Sequence, residues 1–189
     1  MTTPNREHLA VYAGSFDPIT LGHLDVLQRA RRLFDRIILA IGQNPDKPPL
    51  FDSGERLEMA TFEVEKIVAA EPDGAPVQVE RYSGLTVDFA RKAKASAILR
   101  GIRNITDLAT ECQLAITNRQ VADIETVFVV TGEAFAFTSS SLIKQVVALG
   151  GSPDRLSTIV PPLVIDRLRA KLTDPSQPLD RLARDEHME

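Results

Sequence analysis

The stretch YAGSFDPITLGH, from Tyr12 to His23, sets a Gly-Ser turn, a proline and a T-x-G-H tetrad between an apolar run and an amphipathic segment. Leu9 to Ser15 reads as a buried strand. From Leu21 the apolar residues Leu24, Leu27, Ala30 and Phe34 recur at roughly helical spacing, while Arg29, Arg31 and Arg32 are directed elsewhere, so period two gives way to period 3.6 across the motif. His23 is thereby predicted in the first turn of a helix. Unpaired backbone N–H groups and the positive end of the helix dipole attract anions there, so a histidine at that position can face a phosphate. Gly22, without a side chain, would let a ligand approach the backbone, and Thr20 stands where an N-cap is expected.

Other residues point to the same chemistry. Arg100 and Arg103 follow the apolar run Ala97–Ile98–Leu99. A guanidinium at the rim of a crevice requires an anionic partner, and its N–H fork suits phosphate oxygens. Ser139, Ser140 and Ser141 open a helical pattern that continues through Leu142, Ile143 and Val146. One serine is an ordinary cap; three supply hydroxyls and free N–H groups for the β- and γ-phosphates of a nucleotide or for leaving pyrophosphate. Lys47 lies in a loop stiffened by Pro45, Pro48 and Pro49, and Asp17 and Pro18 read as turn-setting. The single cysteine, Cys112, excludes an internal disulfide, and nothing near it marks a thiolate site.

The elements that must position these residues alternate. Strands are predicted at Leu9 to Ser15, Arg36 to Gly42, Val77 to Ser83, Ala97 to Gly101 and Thr126 to Thr131; IILAI and VFVV are unbroken apolar runs of the kind buried on both faces of a parallel sheet. Helical patterns fall at 21–34, 53–70, 86–95, 105–121, 140–149 and, after Pro161-Pro162, at Val164 to Leu172. Asp52 and Glu55 have capping-box spacing at the start of the second. The expected fold is α/β: a doubly wound, Rossmann-like, parallel five-stranded sheet in a single domain, with the ligand crevice outside the carboxyl ends of the strands. Neither G-x-G-x-x-G nor G-x-x-x-x-G-K-[ST] occurs, which removes the main support for a dinucleotide oxidoreductase or a P-loop enzyme.

A chain of 189 residues, 43% hydrophobic, is the size of one domain. Its formal charge of −4 argues against a nucleic-acid binder that relies on a basic surface. The opening MTTPNREH has no signal-peptide core and no apolar run reaches the ~18–20 residues of a membrane span, so a soluble cytoplasmic protein with no nucleic-acid or membrane partner is expected. Residues 1–8 read as a flexible start, 9–172 as the domain, and 173–189 as a polar tail without a catalytic role.

The tetrad resembles that of the bacterial phosphopantetheine adenylyltransferases, a branch of the nucleotidyltransferase superfamily in which the first histidine of H-x-G-H is a threonine, here Thr20. NPDKP around Lys47, ILRGIRNITD around Arg100 and Arg103, TECQLA around Glu111 and FTSSSLIK from Phe137 to Lys144 follow in the family's order, and the resemblance runs from about Leu9 to Leu172. It implies adenylyl transfer from ATP, with Mg²⁺, to 4′-phosphopantetheine, a homohexamer, and feedback inhibition by coenzyme A. It implies catalytic roles for His23, Lys47 and Arg100, with His23 on the α-phosphate. ATP contacts are implied for Ser15, Phe16, His23, Gly101, Ile102, Arg103, Glu111 on the ribose, Phe135, Ala136, Phe137, Thr138, Ser139, Ser140 and Ser141. Phosphopantetheine contacts are implied for Ser15, Lys47, Thr86 and Arg100, and no protein metal cage is implied.

Two departures stand out. The family commonly reads D-F-x-Y-E where this chain has Asp107, Leu108, Ala109, Thr110 and Glu111, so two aromatics are missing, and the one at the Thr110 position is near the nucleotide in related enzymes; Ala13 stands where proline is frequent. Nicotinamide mononucleotide adenylyltransferases and cytidylyltransferases begin the tetrad with His, and Thr20 speaks against them. A silent nucleotide-binding module would have only Leu108 and Thr110 in its favour.

Overall fold

The computed structural model describes residues 7–43 and 49–173; Lys47, the first six residues and the tail from 174 lie outside them. The elements alternate as β1 (Leu9–Gly14), α1 (Leu21–Ala30), β2 (Arg36–Gly42), α2 (Ser53–Ala70), β3 (Val77–Tyr82), α3 (Thr86–Lys92), β4 (Ala97–Ile102), α4 (Ile105–Ala122), β5 (Glu125–Val130), α5 (Ser140–Ala148) and α6 (Pro162–Thr173). The strands form one sheet in the order β3-β2-β1-β4-β5, and all four pairings are parallel. The chain winds outward from β1 to β3 and then returns to place β4 on the other side of β1. The order reverses between β1 and β4, and a crevice opens beyond the carboxyl ends of those strands.

Alternation along β1 feeds two cores. Ala10 and Tyr12 join Ile37, Leu39 and Leu99 under α1, α2, α5 and α6. Leu9, Val11 and Ala13 join Ile38, Ala40 and Ile98 against Val87 and Ala90 of α3. With both faces covered, β1 and, after Arg36 at its entry, β2 carry apolar residues at successive positions, as parallel central strands do.

Three expectations are corrected. The VFVV run is not buried on both faces: β5 is an edge strand, Val129 alone of the four is buried and Val130 is 64% exposed. The first helix stops at Ala30 rather than running to residue 34. Arg31, expected to point away, is fully buried, and its guanidinium donates to the carbonyls of Ile67, Glu71, Gly74 and Ala75 at the end of α2 and in the turn after it. A cation on those free carbonyls is a favourable cap, and it takes Arg31 out of the helical surface. The third helix ends at Lys92, where Ala93 caps it and Lys94 takes a positive φ of 58°.

Candidate active site

Two adjoining clefts lie at the switch point. The first, about 250 Å³, is walled by the β1 end and its turn, the first turn of α1, the end of β4, the start of α4 and the start of α5. The second, about 610 Å³, lies toward α2 and is lined by Asp17, Arg56, Ser83 and Lys144 among others. Ser15, Ser140 and Ser141 line both.

His23 is the third residue of α1 and forms a reciprocal cap with Thr20. The Thr20 hydroxyl accepts from the His23 N–H at 3.2 Å, and the Thr20 N–H donates to His23 Nδ1 at 3.0 Å. A backbone N–H can only donate, so Nδ1 is an acceptor and carries no proton. The ring proton of the neutral imidazole therefore sits on Nε2, for which no protein partner is found among the described residues. Burial, followed by the charges of Arg103 and Arg100, lowers the His23 pKa to about 4. The ring is neutral near pH 7 and presents an N–H donor.

The arginines arrive already partnered. Arg100 donates to both carboxylate oxygens of Glu111, Nε at 2.7 Å and Nη2 at 2.5 Å, and its Nη1 bonds the Ala13 carbonyl at 2.6 Å, tying β4 to β1. Burial disfavours the Arg100 charge, but the Glu111 hydrogen bond and charge outweigh it and its pKa is raised. Arg103 makes the equivalent fork to Asp107, Nε at 2.7 Å and Nη2 at 2.9 Å, and reaches the Thr138 carbonyl with Nη1 at 2.6 Å. The Arg103 hydrogen bond holds the Asp107 carboxyl below its ordinary range. Both guanidiniums are thus fixed in direction at the mouth of the crevice.

The three serines divide their work. Ser139 caps α5 by accepting from the Leu142 N–H, and Ser140 donates to the Pro18 carbonyl. Two hydroxyls expected on phosphate are therefore used by the protein. Among the described residues, the Ser141 hydroxyl and the N–H groups of Ser140 and Ser141 have no partner, and they open on both clefts. Buried Thr138 carries a hydroxyl without a hydrogen-bond partner. Gly22 lines the smaller cleft, and a Cβ there would also meet Phe135 Cβ at 3.3 Å and Thr138 Cβ at 3.8 Å, so the missing side chain admits the 133–138 segment as well.

Residues 11–146 match the cytidylyltransferase-like family model. The phosphopantetheine adenylyltransferase of Rhodopirellula baltica is 48% identical over 169 residues, covering 89% of this chain and 90% of its own. That of Heliobacterium modesticaldum is 44% identical over 167 residues, covering 88% and 94%. The chain belongs to the phosphopantetheine adenylyltransferase family. It is an enzyme, a nucleotidyltransferase. The nicotinic acid mononucleotide adenylyltransferase of Plasmodium falciparum complexed with NaAD shares the fold, with a TM-score of 0.64 at 17% identity over 87% of this chain and 96% of that one.

Of the residues that resemblance to this adenylyltransferase family implied, Ser15, Phe16, His23, Arg100, Gly101, Arg103, Glu111, Thr138 and the three serines converge on the smaller cleft. Ile102, Phe135, Ala136 and Phe137 are not in either lining; Ile102 is buried and Phe137 is 91% exposed. Thr86 is outside both as well, its hydroxyl 2.7 Å from that of Tyr82. Lys47 lies outside the described residues. Sequence reasoning missed Tyr12, Asp107, Asp17 and Arg56. Only Asp107 had a signal, four residues after Arg103 at salt-bridge spacing; the others depend on contacts distant in sequence.

The carboxylates in and beside the cleft are already engaged. Glu111 and Asp107 are each occupied by a guanidinium, and Asp25 binds Arg29 and the Gly132 N–H. No cluster of three or more His, Cys, Asp or Glu suited to a metal occurs among the described residues. These residues do not fit a protein-held metal, and a divalent ion would have to come on the phosphates of a nucleotide. No helix among the described residues is long and apolar enough to cross a membrane.

Proposed function

We propose that the chain transfers the adenylyl group of ATP to 4′-phosphopantetheine, giving dephospho-coenzyme A and pyrophosphate, by direct in-line attack. An oxygen of the acceptor phosphate forms the new bond to the α-phosphorus, the bond from that phosphorus to the α,β-bridging oxygen breaks, and its electron pair leaves with pyrophosphate. The acceptor is already ionised near pH 7, so no enzyme nucleophile or general base is required; the work of the site is orientation and charge stabilisation.

The observation that supports this reading best is the fixed tautomer of His23. Its neutral Nε2–H is directed by Thr20 and needs no reorganisation to meet charge on the α-phosphate. The Ser140 and Ser141 N–H groups and the Ser141 hydroxyl would receive the β- and γ-phosphates at the start of α5. Arg103 would add charge there, and Arg100 and Lys47 would hold the acceptor. Mg²⁺ would accompany ATP as part of the substrate, its ligands phosphate and water. Cytoplasmic location, a homohexamer and inhibition by coenzyme A belong to the same proposal.

The test is to give the purified protein Mg²⁺-ATP with phosphopantetheine or with nicotinamide mononucleotide and to follow pyrophosphate. Release with phosphopantetheine alone is expected. Release only with nicotinamide mononucleotide transfers the proposal to that acceptor, and release with neither makes the chain a silent nucleotide-binding module.

A further inference from the structure

The turn that leaves β1 contains a backbone anomaly. Phe16 has a φ of 45°, in the left-handed region that a bulky side chain rarely occupies. Its ring is buried edge-on between Tyr12 and His23, with centroid separations of 5.3 Å and 5.0 Å. A residue persists in such a conformation only where its surroundings over-determine it.

Arg56, from the first turns of α2, does much of this. It is 4% exposed, and its Nη1 donates to the Ser15 carbonyl at 2.7 Å and to the Gly42 carbonyl at 3.0 Å. Among the described residues it makes no direct ion pair: its hydrogen-bond partners are backbone carbonyls, with the Asp52 carboxylate near enough for the two charges to attract. A buried cation held this way depends on those carbonyls staying in place. In a trans peptide the C=O and N–H point in opposite directions, so gripping the Ser15 carbonyl fixes the direction of the Phe16 N–H. The same nitrogen ties the carboxyl end of β1 to that of β2. Asp17 completes the brace by accepting from the N–H groups of Leu50 and Phe51 at 3.0 Å and 2.9 Å.

We propose that Arg56 is a positioning residue for adenylyl transfer: it holds the Ser15–Phe16 peptide in its strained turn, and thereby sets Ser15, which faces both clefts, relative to His23. The inference rests on the adenylyl-transfer reading. Arg56 acts through the peptide it holds, so its loss affects alignment at the reacting phosphorus more than the binding of either substrate.

The test compares the parent enzyme with Arg56→Ala and Arg56→Lys in steady-state kinetics against both substrates, with thermal unfolding followed on the same preparations. Arg56→Ala is expected to lower kcat at least ~30-fold while both KM values stay within about threefold, the pattern of misplaced rather than unbound reactants. Arg56→Lys, which keeps a donor and the charge but loses the rigid fork, is expected to fall between the two. Methylguanidinium added at millimolar concentration should raise kcat of Arg56→Ala and leave the parent unchanged. A folded Arg56→Ala enzyme with kcat within about threefold of the parent, a loss expressed only in KM, or failure of both variants to fold overturns the proposal. A parent that makes no dephospho-coenzyme A overturns the functional reading itself, which separates the two failures.

Discussion

Thr20 and His23 fix each other: the threonine N–H donates to Nδ1 of the imidazole at 3.0 Å, and the histidine N–H donates back to the threonine hydroxyl at 3.2 Å. In the wider superfamily the tetrad begins with a second histidine. Here a cap residue stands in its place, and the cap selects the tautomer. Helix initiation and presentation of a donor are thus one structural act.

A neutral His23 has a measurable consequence. Its folded pKa of about 4 lies below the ordinary value of 6.5, so the unfolded chain takes up a proton at a pH where the folded chain does not. Stability from this group is fully present above pH 6.5 and is lost as pH falls toward 4, by roughly 1–2 kcal/mol at pH 5. NMR of ring-labelled histidine in the free enzyme is expected to show a midpoint below 5. Urea unfolding at pH 7 and pH 5 should show the parent losing more stability than His23→Gln.

Glu111 grips Arg100 with both oxygens, whereas resemblance implies a ribose contact. Glu111→Ala leaves a largely enclosed guanidinium with its Ala13 carbonyl alone and is expected to destabilise the fold by about 1–3 kcal/mol, read as a shift in the denaturation midpoint. Glu111→Gln, which keeps one acceptor, should lose less. Unchanged stability with weakened ATP binding would assign the carboxylate to the ribose instead.

Much of this arrangement was legible in the sequence. Strand β2 and helix α2 run over the residues expected of them, because IILAI leaves no alternation to misread and the Asp52–Glu55 capping box marks its own start. His23 in a first turn followed from the change of period at Leu21. Less legible were features set by residues far apart in the chain. Arg31 looked like a solvated helix residue, but carbonyls 36 to 44 positions away bury it. Arg56 carried no signal in the sequence, because the carbonyls it holds belong to Ser15 and Gly42, 41 and 14 positions away. Ser139 was legible as a cap and is one, accepting from the Leu142 N–H, but a phosphate role for its hydroxyl and that of Ser140 was not to be separated from local bonding, since Ser140 donates to the Pro18 carbonyl.

Cys112 lies between Glu111 and Gln113 on α4, half-buried and unpaired by disulfide. Cys112→Ser is expected to turn over nearly as fast as the parent. A loss beyond about tenfold in a folded variant, on the order of 1.4 kcal/mol, would bring the thiol into the mechanism.

Lys47→Ala is expected to lower turnover greatly and to weaken phosphopantetheine binding, with little effect on ATP. Calorimetric titration with each substrate separately distinguishes this from the alternative. Selective loss of ATP affinity would place the lysine with the nucleotide.

The proposed chemistry turns on the Nε2–H of His23 acting more strongly in the transition state than in the bound ground state. The decisive measurement is kcat and ATP Kd for His23→Ala on one preparation, with its melting temperature as a check that the cap's loss has not unfolded the chain. Removing one preorganised donor should lower kcat by at least ~10² to 10³ while ATP Kd changes far less. A folded, ATP-binding His23→Ala enzyme with near-parental kcat would contradict it.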